Sequence, residues 1–200
     1  MKLLAITDRR TLKGSLEDFL ARALAAGVDA LQLREKDLPT REILRLAEHA
    51  GKLPNPHRTL LLLNGRTDVA LAAGLDGVHL PSAAPAASRI RDIVPEGFQI
   101  GASCHSADEL RRCEQEGVDY ALLSPIFPSA AKPEYGPPLG VGRLEQACRS
   151  VAIPVYALGG IDPSNAGLCM EAHAAGVAGI SLFQQAPNLS ALVAQLRGSQ

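Results

Sequence analysis

Short apolar runs alternate with amphipathic stretches along the whole chain. The runs fall at residues 2–7, 30–35, 59–64, 77–80, 98–103, 120–127, 154–159 and 177–183. Each is only a few residues long and shows little polar alternation, the pattern of strands covered on both faces. Between them, apolar spacing predicts helices near 15–26, 40–51, 66–73, 84–93, 106–116, 141–150, 163–175 and 188–197. Ser15 and Ser106 stand where side-chain caps belong, and Asp162 precedes Pro163, a residue suited to a first helical turn. Eight strands, each followed by a helix, predict the α/β class and a single (β/α)8 TIM barrel over residues 1–200.

An internal echo supports that topology. Segments 25–33, 72–80, 114–123 and 174–182 share one plan, in which a helix ends at a glycine and a strand starts after one or two linking residues. Gly27, Gly74, Gly117 and Gly176 mark the junction, which suits a left-handed helix C-cap. A barrel built from four such quarters predicts this recurrence.

Composition narrows the function. Hydrophobic residues make up 46% of the chain but aromatics only 4%, with no tryptophan, which predicts an aliphatic core and argues against a large aromatic ligand cage. Twenty basic residues against 21 acidic ones give no overall charge to recruit nucleic acid or a membrane surface. The four cysteines form no CxxC pair, which argues against a zinc knuckle and for reduced thiols in a cytoplasmic protein. The N-terminal apolar run breaks at Thr7-Asp8, too early for a signal segment or a membrane span.

In a barrel of this kind the ligand sits at the C-terminal ends of the strands. Period-two alternation puts Gln32, Arg34 and Lys36 on one face of strand 2, opposite Glu35. Two cations aimed at one mouth repel each other unless an anion joins them. With Lys132 in the proline-rich loop 128–140, read as a lid, they point to a small phosphorylated ligand. A rim ion pair from Arg34 to Glu35 or Asp37 is the alternative. Gly159 and Gly160 can expose backbone amides to a phosphate, helped by a helix beginning near Pro163. Phe183 and Gln184 close strand 8, and the loops after strands 7 and 8 are where barrels of this kind often hold phosphate. His105, at a strand end with Ser103 and Cys104, is an acid/base candidate, and a Cys104 nucleophile would need a lowered thiol pKa. His79 lies inside an apolar strand and reads either as a packed, hydrogen-bonded core histidine or as a catalyst.

Taken in order, ITDRR (6–10), QLREK (32–36), LLLNGRTDVALAAGLDGVHL (61–80), IGASCHS (100–106), SPIFPSAAKP (124–133) and ALGGI (157–161) cover nearly the whole chain. This set resembles the thiamine phosphate synthases and their thiazole tautomerase relatives. The resemblance implies that Gln32, Arg34, Lys36 and Asn64 hold a pyrimidine diphosphate, with Ser103 and Lys132 closing on the ligand and Gly160 on a thiazole phosphate. His79 and Ser129 complete the expected substrate-facing set, and Lys132 joins His105 as a catalytic candidate. It also implies a homodimer. The synthases usually carry two Mg²⁺-binding aspartates, after strands 3 and 4, where this chain has Gly65 and Ala84. The leading expectation is therefore a metal-independent thiazole tautomerase-like enzyme without cofactor, although the tautomerases' proton-transfer histidine corresponds to Pro125 here. The alternatives are a thiamine phosphate synthase, which would require Mg²⁺, and a non-catalytic phosphate-binding or regulatory homologue.

Overall fold

All eight apolar runs form strands, and the strands close on one another. The computed structural model describes residues 2–128 and 137–198. Strands β1 (Lys2–Ile6), β2 (Ala30–Leu33), β3 (Leu60–Asn64), β4 (Gly77–Leu80), β5 (Gln99–Cys104), β6 (Tyr120–Leu123), β7 (Val155–Leu158) and β8 (Gly176–Gly179) make a closed barrel in sequence order. Every pairing is parallel, β8 to β1 included. Connecting helices α1 (Leu16–Ala26), α2 (Thr40–Lys52), α3 (Thr67–Ala72), α4 (Ala87–Arg91), α5 (Ala107–Gln115), α6 (Gly140–Arg149) and α7 (Ala166–Glu171) follow the first seven strands. A single turn, α8 (Ser181–Gln184), then precedes the last layer helix, α9 (Leu189–Gly198). None of the described helices is long and apolar enough to cross a membrane.

Two apolar compartments hold the layers together. Outward-facing strand residues such as Leu3, Leu31, Val78 and Ile100 pack on helix residues such as Phe19, Leu24 and Leu110, all with essentially no exposure. Inward-facing Leu4, Leu62, Tyr120 and Leu122 fill the barrel itself. Burial on both faces is what the strands' unbroken apolar character required. Ser15 and Ser106 cap α1 and α5 by accepting the backbone N–H of Asp18 and Glu109.

Three expectations change. Strand 6 ends at Leu123, and Ser124–Pro128 forms the first part of the following loop. The helix expected from residue 163 starts at Ala166 and runs six residues; Asp162 instead stabilises a turn, accepting the N–H groups of Ser164 and Asn165. The fourth echo sits three residues earlier than the glycine pattern suggests. Gly27, Gly74 and Gly117 all have positive φ, but the equivalent left-handed residue before β8 is His173 (φ 63°), and Gly176 is the first residue of that strand. In that register each even-numbered strand starts three residues after the left-handed one, and the run 177–183 splits into β8 and α8.

Candidate active site

The barrel register sets the floor of the mouth. Ile6 pairs with Gln32, Asn64 with His79, Ser103 with Leu122, and Leu158 with Ala178. These eight inward-facing residues line one cavity of about 560 Å³ at the C-terminal end of the barrel. Their chemistry divides by strand: Gln32, Asn64, His79 and Ser103 make a polar arc from β2 to β5. Leu122, Leu158, Ala178 and Ile6 make an apolar arc from β6 round to β1.

The polar arc carries the cations. Arg34 and Lys36 lie on the cavity wall with Gln32, as alternation along strand 2 requires. Glu35 points the other way and is buried, accepting the backbone N–H of Arg9 at 2.9 Å. Burial raises its carboxyl pKa above the usual range. Thr7, fully buried at the end of β1, accepts the Arg34 backbone N–H at 2.9 Å and so fixes the point where the chain leaves β2. The guanidinium of Arg34 is 3.9 Å from Asp8, so its acidic neighbour is Asp8; Asp37 pairs instead with Arg9 at 2.6 Å. Burial works against ionising Asp8, but hydrogen bonds and charge from Arg10, with the charge of Arg34, outweigh it and lower its pKa. Gln32 donates its amide N–H to Asn64 Oδ1 at 3.0 Å. Its Oε1 is buried without a partner among the described residues, an acceptor suited to a donor on a ligand.

Opposite, the wall is mostly backbone. Gly159 (φ 96°) and Gly160 (φ 65°) follow β7 and line the cavity with Gly179, Ile180, Ser181 and Leu182 after β8. The glycine pair is dictated by space as well as conformation. A Cβ on Gly159 would lie 2.9 Å from Pro125 Cα, and one on Gly160 would lie 2.5 Å from the Pro128 carbonyl oxygen. The loops after β6 and β7 are laced together, with Ile126 N–H donating to Leu158 O and Phe127 N–H to Gly159 O. Asn165 fixes the turn from behind, its side-chain amide N–H donating to Gly160 O at 2.9 Å. N–H groups in the first turn of α8 have no intrahelical acceptor, so the wall offers donors at Ser181 and Leu182.

The histidines separate clearly. His79 is 1% exposed, with Nδ1 3.1 Å from Tyr120 Oη and Nε2 2.9 Å from Ser103 Oγ. Burial, followed by the charge of Arg34, pushes its pKa down to about 3, so the ring is neutral at physiological pH. His105 is half-buried on the cavity wall, with Nδ1 2.8 Å from the Ser124 carbonyl. A carbonyl only accepts, so Nδ1 carries a proton and donates it to that oxygen. Cys104 is not an activated thiol. Its sulfur is buried 3.5 Å from Cys113, and that contact, reinforced by burial, raises its pKa. His49, His57 and His173 are exposed, as expected.

Phe183 and Gln184 are not in the cavity wall. Because β8 ends at Gly179, Phe183 turns into the helix–strand core with no exposure. Gln184 anchors the β1 loop: its amide nitrogen donates to Thr11 Oγ1 (3.1 Å) and Asp8 O (3.3 Å), and its oxygen accepts Asp8 N–H (3.2 Å). Ser181 and Leu182 take their expected place, and the echo read in the His173 register would have found them. Ser129 and Lys132, with the rest of 129–136, lie outside the described residues.

The residues do not suit a resident Mg²⁺. Gly65 and Ala84 offer no carboxylate, and no cluster of three metal-binding side chains occurs among the described residues. Asp68 is tied to Arg66 at 2.5 Å on the exposed start of α3. Asp76 precedes β4, at the far end of the barrel, where it accepts the N–H of Leu61.

Relatives place this site in a family. The profile described as thiamine monophosphate synthase matches residues 3–183. The thiamine-phosphate synthase of Methanoculleus marisnigri is 39% identical over 196 residues, covering 98% of this chain and 93% of the relative. That of Chlorobium luteolum is also 39% identical, over 92% of this chain and 85% of its own. The solved structure of a thiamine phosphate pyrophosphorylase from Pyrococcus furiosus superposes with a TM-score of 0.87 at 34% identity, covering 99% of this chain and 94% of its own. The chain belongs to the thiamine monophosphate synthase family of enzymes.

Proposed function

We propose that the chain joins a pyrimidine diphosphate to a thiazole phosphate, releasing diphosphate and forming thiamine phosphate. The observation that carries this is the division of one cavity into a cationic pole and an amide pole with a floor between them. A single phosphate ester needs one pole. Two ring-bearing anions, one with a departing diphosphate, use both.

In this reading Arg34 and Lys36 take the diphosphate, and the Gln32–Asn64 pair orients the pyrimidine through the unpartnered Gln32 oxygen. The amides of Gly159 and Gly160, with those at Ser181 and Leu182, take the thiazole phosphate. The C–O bond to the pyrimidine methylene breaks and its electron pair leaves with diphosphate. The thiazole nitrogen then supplies the pair for the new C–N bond. The apolar arc of Leu122, Leu158 and Ala178 excludes water that would compete with that nitrogen. Arg34 and Lys36 carry the charge of the departing group.

A second reading, isomerisation of a thiazole carboxylate phosphate, draws support from Gly65 and Ala84 standing where carboxylates are expected. His105 is then the proton carrier. The names of the relatives favour condensation. Purified protein incubated with both condensation substrates, with and without Mg²⁺, and separately with the thiazole carboxylate phosphate, decides by ³¹P NMR. Thiamine phosphate and free diphosphate are expected. Isomerisation without condensation in either buffer would replace the first reading with the second.

A further inference from the structure

The polar arc contains a chain of hydrogen bonds that the proposed reaction leaves unused. Tyr120 Oη meets His79 Nδ1 at 3.1 Å, and His79 Nε2 meets Ser103 Oγ at 2.9 Å. Tyr120 and His79 are buried, whereas Ser103 reaches the cavity. β5 makes room for this arrangement at Gly101, where any Cβ would collide with the Tyr120 ring. Distances alone do not orient the chain, because a neutral imidazole can carry its proton on either nitrogen.

Counting donors orients it. Tyr120 belongs to the inner apolar cluster with Leu4, Leu62 and Leu122, and among the described residues His79 Nδ1 is the one hydrogen-bond partner of its hydroxyl. Were Nδ1 protonated, the phenol would accept that proton and leave its own O–H stranded in an apolar interior, a state that buried polar groups avoid. The phenol therefore donates to Nδ1, the imidazole proton sits on Nε2, and Nε2–H donates to Ser103 Oγ. With that lone pair engaged, Ser103 turns its own proton towards the cavity. In the opposite tautomer Ser103 would donate its proton to Nε2 and present only lone pairs to the cavity.

We propose that Tyr120 is a positioning residue that, through the tautomer it imposes on His79, fixes Ser103 as a hydrogen-bond donor to a phosphoryl oxygen of the bound ligand. The inference rests on the proposed function only in taking that ligand to be a phosphate ester. His79 works as a fixed neutral connector, in keeping with its complete burial. Its neighbours at the cavity end include Arg34, whose positive charge also disfavours a charged ring.

The test has two parts. Long-range ¹H–¹⁵N correlation of the imidazoles, with His79 assigned by its loss in His79→Gln, is expected to show Nε2–H in the wild-type protein. In Tyr120→Phe a population of Nδ1–H is expected to appear. Calorimetry with inorganic diphosphate as the probe is expected to show roughly tenfold weaker binding in Ser103→Ala and a comparable loss in Tyr120→Phe, the worth of one hydrogen bond to a charged oxygen. The double variant should lose no more than Ser103→Ala alone, because Tyr120 acts through Ser103. An Nδ1–H tautomer in the wild type, an unaffected Ser103→Ala, or losses that multiply would each overturn the proposal. If Tyr120→Phe does not fold, the wild-type tautomer still decides. A protein inactive in condensation but showing Nε2–H and the non-multiplying losses would sink the functional reading and leave this inference standing.

Discussion

The two halves of the mouth are built by different means. From β2 to β5 the wall consists of side chains: Gln32, Arg34, Asn64, His79 and Ser103, each held by a named neighbour. From β7 to β8 it is mostly main chain, with glycines at 159, 160 and 179. A wall of side chains can be altered one function at a time, because removing one group leaves the backbone in place. A wall of amides cannot, because the residue that exposes the N–H also sets the path of the chain. Substitutions in the two halves should therefore fail differently.

The largest effect is expected at the amide wall. Gly160→Ala adds a Cβ that must displace the Pro128 carbonyl at a residue with φ of 65°. It should lower kcat/KM for the thiazole phosphate by about 100-fold and cost about 2–3 kcal/mol of stability, read by steady-state kinetics and urea unfolding. Arg34→Met should show the contrasting pattern. Diphosphate binding weakens by roughly 10- to 100-fold with little change in affinity for the thiazole phosphate, and Arg34→Lys recovers only part because the planar fork is lost.

Stability against pH separates the halves in another way. The folded-state pKa of His79 is depressed to about 3 from an ordinary 6.5, so between those values the unfolded chain binds the proton and the folded one does not. Its contribution is therefore present above pH 6.5 and lost as pH falls, at about 1.4 kcal/mol per unit, or about 2 kcal/mol between pH 6.5 and 5. His79→Gln should remove that part of the slope in unfolding titrations. Gln184→Ala should have the smallest effect on the ligand. It loses the anchor to Asp8 and Thr11 and about 1–2 kcal/mol of stability, with KM for the thiazole phosphate within roughly twofold if Gln184 is only an anchor.

This contrast also explains what could be read in advance. Side-chain chemistry survives in a sequence: alternation alone places Arg34 and Lys36 together, and the unbroken apolar runs predict a barrel. A main-chain site depends on where a strand stops, which is a matter of register. Gly176 looks like a helix cap because it follows Ala174-Ala175 just as Gly27 follows Ala25-Ala26, but the left-handed residue is His173. The apolar run 177–183 passes without a break from β8 into α8, so its end points to Phe183 and Gln184 and conceals Ser181. Gly159-Gly160 was legible as a phosphate turn, whereas its second reason for being glycine, the close approach of Pro125 and Pro128, depends on contacts distant in sequence. Glu35 and Asp37 are the acidic partners that proximity in sequence offers Arg34 as an alternative to an anion; its acidic neighbour is Asp8, because β1 and β2 pair in register.

Amide chemical shifts test the central claim most directly. On adding the thiazole phosphate alone to ¹⁵N-labelled protein, the account predicts that the N–H signals of Gly159, Gly160, Ser181 and Leu182 move, and that they move equally in Arg34→Met. Shifts confined to Arg34, Lys36 and Asn64, or abolished by Arg34→Met, would contradict it.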